Sequence, residues 1–105
     1  MNQQAMLMKI RKMQKEMEQT QKEIEETVFT ASAGGVVTVS MYGTKELKSI
    51  EISEDFEAEG KDDLELLSDM IVAASNEAYK KIEKVTEEKM SKYQALLGGM
   101  GGGMF

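Results

Sequence analysis

The sequence predicts an α+β fold in which one helix, a three-stranded antiparallel sheet and a second helix follow one another, the order α-β-β-β-α. Three observations predict it. Apolar residues recur at helical spacing at both ends of the chain. The stretch between them carries β-branched residues broken by Gly34-Gly35 and Gly43-Thr44. No proline stands anywhere in the 105 residues to interrupt either helix. A chain of that length makes one domain, expected over 1–97, with a Gly/Met-rich tail over 98–105.

The first helix is expected from Gln3 to Glu26. Met6, Ile10, Met13, Met17 and Ile24 step by 4, 3, 4 and 7, with Thr20 in the vacant slot, which is a heptad seam. At 1.5 Å per residue this helix spans ~36 Å, more than a small sheet needs for cover. The stripe is narrow and flanked by Gln3, Gln4, Gln14, Gln19 and Gln21. It suits a seam between two helices better than packing within the chain, and both readings stay open. Met6, Ile10, Met13 and Met17 are accordingly expected at an interface between two copies.

Strands are expected at Thr27 to Ser32, Val36 to Tyr42 and Lys45 to Ile52, joined by short hairpin turns. Val37, Val39 and Met41 alternate onto one face of the central strand, while Ile50 and Ile52 share a face on the third. Three strands leave open edges, and residues 28–43 carry no charge, a combination that invites pairing with a second copy. Val37 and Val39 join the expected dimer contacts on that ground.

Ser53 to Lys61 reads as an acidic surface loop with Phe56 as its one large apolar residue. Asp62-Asp63-Leu64-Glu65 then resembles a capping box, with acids at the positive end of the helix dipole. Leu64, Leu67, Ile71, Ala74, Ala78, Ile82 and Val85 step by 3, 4, 3, 4, 4 and 3, and the stripe is widest in its first half. That half is expected on the sheet and the rest is expected to project, to about Leu97. The glycines of the tail lose too much backbone entropy to hold a fold, so a mobile tail is expected there.

Composition excludes most catalytic chemistry. With no Cys and no His, a thiolate, a disulfide framework, a zinc knuckle and the commonest general base are all missing. Asp62 and Asp63, or Glu87 and Glu88, are adjacent on a helix and face apart, with no base or nucleophile beside them, so solvated faces explain them. Gly34-Gly35 lacks the lysine and hydroxyl residue of a phosphate loop. Residues 54–60 lack the ordered ligand spacing of a calcium loop. No enzyme activity, metal, cofactor or small-molecule substrate is expected. No run reaches the ~18 apolar residues of a membrane span and the start lacks a secretory h-region, so no membrane partner is expected and the expected place is the cytoplasm.

Charge is laid out unevenly. The 13 Lys and Arg against 19 Asp and Glu give −6. Residues 1–15 nevertheless hold Lys9, Arg11, Lys12 and Lys15 with no acid. Residues 44–65 hold nine acids against three lysines, a local −6 that equals the whole excess. Lys80, Lys81, Lys84, Lys89 and Lys92 crowd the later part of the second helix. Lys9, Arg11, Lys12 and Lys15, doubled if two copies pair, are enough to neutralise several phosphates; periodicity and charge alone fit solvated flanks of a coiled coil slightly better. No recognition helix is visible, so base readout has no instrument.

Several segments together resemble the YbaB/EbfC family of bacterial nucleoid-associated proteins. They are Met13-Gln14-Lys15-Glu16-Met17, the strand pair from Gly34-Gly35-Val36-Val37 to Met41-Tyr42-Gly43, Ile50-Glu51-Ile52, the helical run from Leu67-Ser68-Asp69-Met70 to Asn76-Glu77-Ala78, and the Gly-rich, Met-containing end. The likeness covers about residues 5 to 103 in the same order and spacing, and departs from the family in having no proline near the tail. The resemblance implies an intertwined homodimer whose projecting helices act as tweezers on DNA in the bacterial nucleoid, affecting gene expression. It places DNA contacts on those helices, here Lys9, Arg11, Lys12 and Lys15, with Lys80, Lys81, Lys84, Lys89 and Lys92 behind them. The expected mode is double-stranded DNA held mainly through phosphates. The alternative is a prefoldin-like holdase or adaptor, since Met-rich seams also suit gripping unfolded chains.

Overall fold

The computed structural model describes the backbone of residues 2–100 and the side chains of residues 2–96. Its elements are α1 (Gln3–Glu26), β1 (Val28–Ala33), β2 (Val37–Tyr42), β3 (Leu47–Ile52) and α2 (Lys61–Met100). The predicted α-β-β-β-α order is therefore the observed one. Asn2 starts α1 by accepting the Gln4 amide on its Oδ1 at 2.9 Å, and Thr27 ends it by donating its hydroxyl to the Glu23 carbonyl at 2.6 Å.

The sheet runs β1-β2-β3 and both pairings are antiparallel. Gly34 and Gly35 turn the first hairpin with φ of +60° and +68°, values a tight two-residue turn requires at both central positions. Lys45 takes the left-handed region in the second turn (φ 77°), so β3 begins at Leu47, two residues later than expected.

α2 lies across β1 and β2. Ala74, Ala78 and Ile82 pack on Ala31, Val37, Val39 and Met41, and the two alanines allow close approach of helix and sheet. Val37 and Val39 are completely buried in this core. Their place in the expected dimer contacts is corrected accordingly: α2 of the same chain already occupies that surface.

β3 is treated differently. Register sets Ile50 opposite Val39, Ile52 opposite Val37 and Leu47 opposite Met41, so all three share the core face. They are nonetheless 41%, 45% and 49% exposed. The reason is width: a helix about 10 Å across covers about two strands spaced 4.8 Å apart, and the third is left over.

Beyond the sheet α2 and α1 pack side by side and antiparallel. Tyr93, 3% exposed, meets Thr20 through their hydroxyls at 3.3 Å, and Leu96 lies near Met13 and Glu16. The base of α1 is pressed onto the sheet end, where Ile24 is buried and a Cβ at Gly43 would land on the Ile24 carbonyl oxygen. The result is a rod, 72 × 27 × 16 Å. α2 continues as helical backbone three residues past the expected end at Leu97. The rest of the expected tail, 101–105, lies outside the described residues.

Candidate nucleic-acid interface

Lys9, Arg11, Lys12 and Lys15 are all exposed on the half of α1 farthest from the sheet. No acid precedes Glu16, so each cation faces solvent among other cations. The antiparallel pairing fixes where this cluster sits. Leu96 is level with Met13 and Glu16, and Lys61 begins α2 at the sheet, 35 residues or about 52 Å back along the helix. The acidic loop between β3 and α2 is thus at one end of the rod and the cationic cluster at the other.

The five lysines of α2 do not join that cluster. Lys80 pairs with Glu77 at 3.7 Å, and Lys81 donates to the Thr30 carbonyl at 2.6 Å, on the outer edge of β1. Both belong to the body, about 22 Å from the level of Leu96, and Lys84 lies one turn further along. Lys89 and Lys92 stand between the two ends, and Lys92 holds its ammonium 4.9 Å from the centre of the buried Tyr93 ring. The sequence thus supplied nine cations, and the fold brings four of them together at a tip.

The heptad seam is divided as well. Its lower part is used within the chain, Thr20 against Tyr93 of α2 and Ile24 at the sheet end. Its upper part, Met6, Ile10 and Met13, lines an open groove of about 550 Å³ together with Leu96, Lys9, Lys12 and Glu16. Met6 is 42% exposed there, while Ile10 and Met13 are half-buried.

Three features of this surface were not anticipated. Leu7 and Met8 are exposed beside the cations; the helical stripe gave them no partner, and an apolar pair off the stripe was the available signal. Lys45 reaches from the second hairpin turn to Tyr79, 3.2 Å from its hydroxyl and 4.4 Å from its ring centre. The uncovered face of β3 is the third. Among the described residues no group of three or more acids could hold a metal ion, and no helix is long and apolar enough to cross a membrane.

A family model described as the YbaB/EbfC DNA-binding family matches residues 1–99. A nucleoid-associated protein of Lachnospira eligens is 46% identical over 86 residues, 81% of this chain and 72% of that protein. One of Lactococcus lactis subsp. lactis is 43% identical over 94 residues, covering 89% and 93%. One of Chloroflexus aurantiacus is 38% identical over 103 residues, covering 97% and 98%. Among solved structures, an uncharacterized Helicobacter pylori protein superimposes with a TM-score of 0.65 at 26% identity, over 91% of this chain and 98% of that one.

Proposed function

The chain belongs to the YbaB/EbfC DNA-binding family, a nucleoid-associated and not an enzyme family, and from that premise we propose that two copies form a homodimer that grips double-stranded DNA in the bacterial nucleoid. The grip is made by phosphates on Lys9, Arg11, Lys12 and Lys15 of each copy, with little base readout. The observation that carries it is the separation of charge. A net charge of −6 argues against a polyanion partner only if the charge is spread evenly. Here the acidic loop lies about 50 Å from the cationic tip, several times the ~8 Å Debye length at physiological salt. Phosphates at the tip meet the cations and not the acids of that loop.

Doubling matters because four cations make a weak phosphate site and eight make a useful one. The surface for a second copy is the uncovered face of β3, where Leu47, Ile50 and Ile52 are about half exposed. Covering them contributes about 1 kcal/mol each. The Met6, Ile10 and Met13 groove extends the apolar surface available to the pair.

The test is a titration of labelled duplex DNA at two or more salt concentrations, together with a mass measurement of the free protein. With about six phosphates neutralised, log K against log salt falls with a slope of about −5. A salt-independent curve, or a stable monomer at micromolar concentration, contradicts the proposal. The Met-lined groove is the one observation that favours the holdase reading. That reading requires suppressed aggregation of a denatured client and no duplex binding at low salt.

A further inference from the structure

Two apolar side chains at the cationic tip remain without a role. Met8 is 69% exposed, the highest value of any large apolar side chain among the described residues, and Leu7 is 52% exposed. Neither belongs to the seam. At 3.6 residues per turn Met8 shares its face with Arg11, Lys12 and Lys15, at i+3, i+4 and i+7, and Leu7 stands one turn from Arg11. Met8 is therefore set within the cations on the side of α1 away from α2, and Leu7, about 100° round the helix, stands on its flank beside Arg11.

The chemistry of the surroundings selects the occupant. A second copy docked on this face, opposite the seam, is repelled, because it would bring Arg11, Lys12 and Lys15 against their own equivalents. A lipid surface asks for a long apolar face, yet Ile10, Met13 and Met17 are turned toward α2, and Glu16 and Glu18 follow directly. Duplex DNA offers both components at the required scale: phosphates on the rims and, a few ångströms inside, the apolar stack of a base step. We infer that Met8, with Leu7 on its flank, enters the minor groove and wedges into a base step while Arg11, Lys12 and Lys15 hold the flanking phosphates.

This rests on the DNA-binding reading and adds to it a kink in the duplex and a preference for steps that unstack easily. Pyrimidine–purine steps such as TA are the most deformable, so a protein without base readout still discriminates among sequences by their stiffness.

The test uses an alternating TA duplex carrying 2-aminopurine, whose fluorescence rises on unstacking, with a dye pair at the duplex ends to report bending. The native chain is expected to raise the 2-aminopurine signal at least about twofold and to bring the ends closer. Leu7→Ala/Met8→Ala is expected to lose both signals and to bind about tenfold more weakly with an unchanged salt slope. Both positions are exposed and Ala favours helix, so folding is preserved, and circular dichroism checks it. Met8→Phe is expected to keep both signals. If the double variant unstacks and bends DNA as the native chain does, the wedge is refuted. If the native chain binds with a steep salt slope but without unstacking, the wedge fails and phosphate binding stands; if it does not bind duplex at all, both fall. Vesicles of phosphatidylserine and phosphatidylcholine form the remaining arm, and binding to them that needs Leu7 and Met8, with no unstacking of DNA, overturns the assignment in favour of a lipid surface.

Discussion

The two ends of the rod are built from the same kinds of residue and behave as opposites. In the sheet half, Lys80 and Lys81 are tied to Glu77 and to the β1 edge, and the loop that precedes α2 is acidic. At the far end four cations stand in no ion pair among the described residues, with Glu16 the first acid behind them. The difference teaches that in an elongated molecule net charge describes neither end. A ligand within a Debye length of one end is nearly blind to the other.

The largest effect that could break this contrast is loss of the tip. Replacing Lys9, Arg11, Lys12 and Lys15 by Ala is expected to weaken duplex binding at low salt at least about a hundredfold and to flatten the salt slope, read by fluorescence anisotropy. The same treatment of Lys80, Lys81 and Lys84 should cost only several-fold. If the quartet and the triad proved equal, the assignment of the grip to the tip would be wrong. Next comes the uncovered strand. Ile50→Asp/Ile52→Asp places charges where a second copy is proposed to sit, and light scattering is expected to show monomers with a fold intact by circular dichroism. Smaller is Tyr93→Phe, which removes the hydroxyl contact with Thr20 and should lower unfolding stability by about 1 kcal/mol in denaturant titration. Smallest is the acidic loop. Changing Glu54, Asp55, Glu57 and Glu59 to Gln should alter DNA affinity less than about twofold at physiological salt, and a tenfold gain would show that the ends do communicate.

Periodicity made the architecture legible. Helical spacing at both ends and alternation between them lead directly to the observed element order, with boundaries off by one to three residues, as at Lys45 and at the end of α2. What periodicity could not state was coverage. The pattern Val37, Val39, Met41 marks a buried face, but nothing in it says that α2 shields two strands and leaves Leu47, Ile50 and Ile52 of the third open. Cations were similarly legible as residue types and not as a constellation. Whether Lys81 points at DNA or at the Thr30 carbonyl depends on how far along α2 the sheet ends. Met8 escaped notice because a seam argument looks for residues on the stripe, and its exposure follows from lying off it.

The contact between Gly43 and the Ile24 carbonyl has one more consequence. It is the pivot of a lever whose long arm runs from Ile24 to Lys9, 15 residues or about 22 Å. A tilt of about 5° at the pivot swings the working end by about 2 Å, roughly the difference between touching a phosphate and missing it. A side chain at position 43, even one methyl group, would collide with that carbonyl, so the base of α1 or the strand end would have to shift without any change in a residue that meets the ligand. The aim of the arm is governed at the far end of the molecule, by an atom that is not there.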